Sequence, residues 1–260
     1  MTDGGIKSKA RVAEFGEVFT PHNIVVDMLD LVKEESYRID STFLEPACGN
    51  GNFLVEILRR KLETAKNDLE TFERNVFVAL SSTYGIDIQL DNVEESKARM
   101  LGVVKDAYKN IKREPSENTL KTCVYIMDRN IIWGDALTEK FMGDIHTGEE
   151  YIIHKELKVT EWEITDSHIK TTEQLLTEDN SGYEQLDITE FIVNEKATEI
   201  INLTNVPEYV TDERLVKLCK IHEDYKEEMK KLEVAKQKDV DAKKKRDTNK
   251  KKRSKIVAAW

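Results

Sequence analysis

The stretch with the greatest chemical capacity runs Phe43-Leu44-Glu45-Pro46-Ala47-Cys48-Gly49-Asn50-Gly51-Asn52-Phe53-Leu54. Gly49 and Gly51 let a backbone turn tightly and approach a ligand closely. After them, apolar residues at 54, 57, 58 and 62 predict a helix over residues 52–62. A helix that opens on a glycine loop aims unpaired amides and its positive dipole end at the loop, which suits a carboxylate or phosphate. Two acidic residues close further strand-like runs: Asp87 ends Tyr84-Gly85-Ile86-Asp87, and Asp135 follows Asn130-Ile131-Ile132-Trp133-Gly134. A carboxylate can accept from two hydroxyls or from an amine. The structural alternatives are a plain tight turn for the glycines and a helix cap for Asp87 ahead of Ile88-Gln89.

These residues need a scaffold that gathers strand ends. A helix is expected over residues 24–32, after the start signal Thr20-Pro21. A short buried strand is expected over 41–45, a helix over 69–80 and a strand over 83–88. Leu90, Val93, Met100, Leu101, Val104, Tyr108 and Ile111 mark one face of a long helix, and a third strand covers 130–133. Strand, helix, strand, helix, strand is the order of an α/β, Rossmann-like doubly wound parallel sheet, which binds ligands at the carboxyl ends of its strands. Residues 138–210 are polar, and partial period-two alternation at 151–164 and 186–193 predicts antiparallel strands or a hairpin. Leu215, Leu218, His222, Tyr225, Met229 and Leu232 recur at spacings of 3 and 4, a short heptad seam on a C-terminal helical extension. That seam either packs on the main domain or offers a partner surface.

The net charge of −10 conceals an asymmetry. Residues 226–255 hold 14 Lys/Arg and 6 Asp/Glu, net +8, which leaves 26 basic and 44 acidic residues, net −18, elsewhere. An acidic body is not a broad basic surface for DNA, whereas the tail could touch phosphates without reading sequence. Residues 242–255, AKKKRDTNKKKRSK, are expected to be solvated and mobile. Cys48, Cys123 and Cys219 have no metal-ligand spacing, so reduced thiols and no metal are expected. The N-terminus lacks an apolar signal region and no run is long enough to span a membrane, so a cytoplasmic protein is expected.

The block at 45–53 resembles motif I of the amino-methylating DNA methyltransferases, whose common form is D/E-P-A-C-G-x-G-x-F/L. Upstream, Phe15-Gly16-Glu17-Val18-Phe19-Thr20-Pro21 resembles their motif X. The resemblance covers residues 14–137 and is closest to the type I-like and phage-type adenine-N6 methylases. It implies a class I S-adenosyl-L-methionine (AdoMet) dependent methyltransferase fold, AdoMet as cofactor, DNA as partner, and the cytoplasm of a bacterium or phage-infected host. It assigns cofactor contacts to Phe19, Thr20 and Pro21, and to Glu45, Pro46, Ala47, Cys48, Gly49, Gly51, Asn52 and Phe53. It also assigns the ribose hydroxyls to Asp87, the adenine amino group to Asp135, and the flanks of the adenine ring to Ile88 and Ala136. The expected organisation is an AdoMet-binding core at 1–137, a divergent remainder of the sheet or small β-rich insertion at 138–210, and a helix with a basic flexible tail at 211–260.

The same family activates an exocyclic amine with an N/D/S-P-P-Y/F/W block. The amine's lone pair is delocalised into the base, so acceptors must draw its hydrogens while an aromatic ring stacks on the flipped base. This chain has four prolines, Pro21, Pro46, Pro115 and Pro207, and none is followed by another. Asn205, Pro207 and Tyr209 are the nearest substitute, with one extra residue in the spacing. The structural alternative there is a loop before a helix capped by Thr211 or Asp212. Two functions follow from the resemblance. One is direct methyl transfer to adenine N6. The other is a catalytically inactive AdoMet-fold protein, a regulatory or anti-restriction decoy partner that makes protein contacts through the 211–235 helix.

Overall fold

The computed structural model describes residues 7–145, 147–150, 155–175, 197–202 and 210–257. The chain enters through α1 (Lys9–Phe15), started by Ser8, whose hydroxyl accepts from the Arg11 amide, and stopped by Gly16 at φ 66°. Pro21 then leads into α2 (His22–Asp30), and α3 (Lys33–Tyr37) follows. The central alternation is β1 (Phe43–Glu45), α4 (Asn52–Ala65), α5 (Phe72–Ser81), β2 (Thr83–Asp87), α6 (Leu90–Asn110), α7 (Glu117–Asn130) and β3 (Ile131–Asp135). β4 (Lys140–Phe141) closes the run.

The sheet order is β1-β2-β3-β4. β1, β2 and β3 are parallel, with Leu44 opposite Tyr84 and Asp87 opposite Trp133, and β4 runs antiparallel beside β3. Alternate side chains on a strand point to opposite faces. One face sends Ile131 and Trp133 into the main core, built from Leu54, Leu58, Phe77, Met100, Leu101 and Tyr125 of the four helices. The other face packs Ile86 and Ile132 against Leu157, with Leu44, Phe141 and Val159 around them. α2 lies beside β1, burying Val25 and Leu29 against Ile57 and Phe43. The fold is thus mixed α/β with a parallel sheet. Among the described residues the strands step in one direction, and β1 is an edge strand; a doubly wound sheet would reverse direction at that edge.

Helix α7 is absent from the sequence reading, for a physical reason. Residues 122–127 are all buried, so the middle of the helix reads as a short continuous apolar run, which periodicity alone does not tell from a buried strand. Its start is marked by Ser116, whose hydroxyl accepts from the Thr119 amide.

In the middle region, β5 (Gly143–Asp144) pairs with β6 (Glu149–Glu150). β7 (Lys158–Ile164), β8 (His168–Leu175) and β9 (Ala197–Asn202) form an antiparallel sheet. Antiparallel pairing expected over 151–164 is present from Lys158 onward, and the stretch 186–193 lies outside the described residues. This sheet joins the main core through Ile169 and Ile201, and the Tyr84 hydroxyl donates to the Thr160 carbonyl at 2.7 Å.

The last element is α8 (Asp212–Val257), 46 residues long. Thr211 starts it, accepting from the Arg214 amide at 3.2 Å. The first half of the heptad seam faces inward, burying Leu215, Leu218 and His222. Gly102 of α6 makes the close approach: a Cβ there would stand 1.8 Å from the His222 ring. Arg214 bonds Glu94 and Asp128 at 2.6 Å each, and Lys97 meets Asp128 at 2.9 Å. Further along, Leu232, Val234 and Val240 are exposed. α8 remains helical to Val257. No Gly or Pro follows Pro207, and Lys, Arg, Gln and Ala are good helix formers.

Candidate functional site

The loop between β1 and α4 is built by the two glycines. Gly49 has φ 52° and Gly51 φ 84°, conformations that a Cβ disfavours. Space is also lacking: a Cβ on Gly51 would meet the Ser96 hydroxyl at 2.8 Å, and one on Gly49 would meet the Phe19 ring at 3.0 Å. The Gly51 amide donates to the Cys48 carbonyl, and the Cys48 amide to Ile86, which binds the loop to β2. Gly51 is the N-cap of α4 and supplies no side-chain cap. The amides of Asn52, Phe53 and Leu54 therefore have no intrahelical partner, the arrangement that receives anions.

Asp87 sits under this loop. Its Oδ2 accepts from the Gly49 amide at 2.8 Å, and its Oδ1 from the Gln89 amide at 2.9 Å and Asn92 Nδ2 at 3.1 Å. Burial pushes its carboxyl above the ordinary range, against these bonds. Asp87 is thus a helix cap and a loop anchor together, and Oδ2 retains a lone pair for a further donor. The motif near Phe19 comes to the same place: Asn52 Nδ2 donates to the Thr20 carbonyl at 2.8 Å. Pro46 and Ala47 are exposed beside it, whereas burial pushes the Glu45 carboxyl and the Cys48 thiol up.

Four residues of this site escaped sequence reading: Glu17, Asn92, Ser96 and Arg99. Asn92 bridges Asp87 to Glu17, at 2.9 Å from the latter. Ser96 donates to the Gly49 carbonyl at 2.9 Å, and Arg99 to the Asn50 carbonyl at 2.5 Å and Asn52 Oδ1 at 2.8 Å. Arg99 also stacks on Tyr225 of α8, 4.6 Å from the ring centre. The signal was available, since 92, 96 and 99 share the i, i+4, i+7 spacing of one helix face. Glu17 Oε1, Asn50 Oδ1 and Asn92 Oδ1 are buried without a hydrogen-bond partner among the described residues. Buried polar atoms are usually paired, so unmet acceptors around one loop mark a place for donors.

Asp135 ends the neighbouring strand, and its carboxylate closes its own turn. Oδ1 accepts from the Leu137 and Thr138 amides at 2.9 and 3.4 Å, and Oδ2 from the Thr138 hydroxyl at 2.8 Å. Ile88 is partly exposed, and its carbonyl accepts from Trp133 Nε1 at 3.1 Å, which joins the ends of β2 and β3. Ala136 is half-buried against the Ile86–Ile132 cluster. Asn205, Pro207 and Tyr209 lie outside the described residues. Two cavities, of about 550 and 430 Å³, lie elsewhere, one along β3 and β7 and one between α4 and α6. Among the described residues no cluster of three His, Cys, Asp or Glu could hold a metal, and no helix is long and apolar enough to cross a membrane.

Comparison with known proteins gives one distant likeness. The chain is 25% identical over 128 residues to the type II methyltransferase M.VspI of Vibrio sp. (strain 343). The aligned part is 48% of this chain and 27% of that protein, so the chain spans about a quarter of the relative's length. No protein-family model matches, and no solved structure matches. The chain is therefore a distant relative of a methyltransferase, with a parallel α/β sheet.

Proposed function

We propose that this chain is an AdoMet-dependent DNA methyltransferase-like protein that transfers methyl to adenine N6. The observation that carries the reading is the loop at the end of β1. It has two left-handed glycines, an uncapped helix behind it, Asp87 beneath it and Phe19 against it. Those features fit AdoMet. The amides of Asn52 and Phe53, with Thr20 and Pro21 alongside, receive the methionine carboxylate. Asp87 Oδ2 accepts from a ribose hydroxyl, and Asp135 from the adenine amino group, with Ile88 and Ala136 on the ring faces. Glu45, Pro46, Ala47, Cys48, Gly49 and Gly51 shape the loop around it. AdoMet, when bound, supplies a methyl group on a sulfonium centre, open to attack by an amine. In this reading Asn205 and the Pro207 carbonyl accept the amine hydrogens, and Tyr209 stacks on the base.

A second reading is favoured by two specific observations. The sequence contains no Pro-Pro pair, and among the described residues no strand lies on the outer edge of β1. In a doubly wound sheet that strand forms the other wall of the ligand crevice. A chain with one wall and no intact catalytic block would bind AdoMet and serve as a regulatory or decoy partner. Transfer of tritiated methyl from AdoMet to unmethylated duplex DNA separates the two readings. Label in N6-methyladenine, lost in Tyr209→Ala, supports the enzyme; bound AdoMet with no transfer to DNA of any sequence supports the partner.

A further inference from the structure

Helix α8 changes character along its length. From Asp212 to Tyr225 it is docked on α6, through Leu215, Leu218, His222 and the Arg99–Tyr225 stack. Residues 226–241 follow with 5 basic and 5 acidic residues, a net charge of zero. Residues 242–255 then carry 9 basic and 1 acidic residue, net +8. Nothing apolar interrupts that last stretch except Ala242. Residues 1–225 hold the opposite charge, −18, the whole-chain −10 less the tail's +8.

The geometry gives the neutral stretch a purpose. At about 1.5 Å per residue, the 17 residues from Tyr225 to Ala242 span about 25 Å of helix. The Debye length at physiological salt is about 8 Å, so the cationic end stands about three screening lengths from the docked turn. Over that distance the repulsion between an acidic body and a polyanion falls to roughly a twentieth. We infer that the end of α8, residues 242–255, is an arm that holds the phosphate backbone of duplex DNA, kept clear of the acidic body by the neutral part of the same helix. Charge complementarity selects a polyanion. Residues 242–255 carry no apolar stripe, unlike the amphipathic helix that a membrane surface takes, and apolar residues resume only at Ile256. A run of near-uniform charge positions a backbone without reading bases, so the arm supplies affinity and not sequence choice. The choice of DNA over other polyanions rests on the methyltransferase reading.

The test is a titration of a fluorescent 25-base-pair duplex with the full chain at several salt concentrations between 50 and 200 mM. The expected log-log slope is steep, up to about −8 for nine contacts at about 0.9 per phosphate. A variant with Lys250→Gln, Lys251→Gln, Lys252→Gln and Arg253→Gln should keep its helix, lose affinity at least about a hundredfold at 50 mM, and flatten the slope by about 4. A second variant with residues 242–255 in scrambled order should bind as the parent does, because charge and not sequence is used. Absence of salt-dependent binding, an unchanged slope in the four-fold variant, or tighter binding to anionic phosphatidylserine vesicles than to the duplex would overturn the inference. AdoMet binding, measured alongside, is independent of the arm. A chain that binds AdoMet and not the duplex refutes the arm alone, and one that binds the duplex and not AdoMet refutes the cofactor site alone.

Discussion

The two ends of the same three parallel strands are built on opposite rules. At the amino ends, Lys61 is fully buried and bonds the Ser41 carbonyl, the Ser82 carbonyl and hydroxyl, and the Thr83 hydroxyl at 2.6–3.2 Å. Burial pushes its amine down to about 7. Asn130 donates to Leu80, Ser81 and Thr83 carbonyls and accepts from Trp162. No buried side-chain atom of this group lacks a partner. At the carboxyl ends, three buried acceptors around the glycine loop go unmet and α4 opens uncapped. One end spends its polar groups on joining elements; the other keeps them in reserve. The contrast teaches that polar burial alone does not distinguish the two ends, whereas unmet acceptors gathered beside an uncapped helix start do.

Four substitutions sharpen that contrast. Lys61→Met should have the largest effect on stability. It strips several carbonyl and hydroxyl acceptors of their donor, at a cost of about 3 kcal/mol, read as a lower midpoint in urea. AdoMet affinity of the folded fraction should change less than about twofold, because only the structural end is touched; a large loss there would dissolve the distinction between the ends. Gly51→Ala should do the reverse. Strain at positive φ costs stability about 1 kcal/mol, while displacement of the loop by Ser96 lowers AdoMet affinity at least about tenfold. Asp87→Asn comes next. The amide turns a donor toward the Gly49 or Gln89 amide, and affinity should fall by about tenfold with a smaller loss of stability.

The smallest effect concerns pH. Burial lowers the pKa of His222, which is packed with Lys105 and Asp106 of α6 nearby and Glu223 and Lys226 on its own helix. A folded-state pKa below the unfolded value means that the unfolded chain binds the proton more readily. The stability from neutral His222 is therefore complete above its ordinary value near 6.5 and declines as the pH falls below it. The thermal midpoint should drop more steeply between pH 7 and pH 5 in the parent than in His222→Leu. Parallel pH profiles for the two would remove His222 from the account.

Much of this was legible in the chain. The strands at 43–45, 83–87 and 131–135 and helices α4 and α6 stand within a few residues of where hydrophobic period and caps put them. Helix α7 was not legible because its buried middle, residues 122–127, reads as a short apolar run that could equally be a strand. The loop glycines and the two strand-end acids could be chosen from sequence, because each turn needs its own residue type. The second ring of contacts left only a spacing in the sequence, at 92, 96 and 99, because which face of α6 meets the loop is set by the fold. Asn92, Ser96 and Arg99 are three of many polar residues on α6, and the fold shows that they hold Asp87, Gly49 and Asn50. The C-terminal charge run was legible only as composition, and the absence of Gly and Pro accounts for its continuing α8 as a helix.

The central claim is that the carboxyl end of the sheet binds AdoMet through the glycine loop. Calorimetric titration of the purified chain with AdoMet, beside Gly51→Ala of matching circular dichroism, tests it most directly. One-to-one binding by the parent and at least about tenfold weaker binding by the variant are expected. No heat of binding in the parent, or equal affinity in the two, would contradict it.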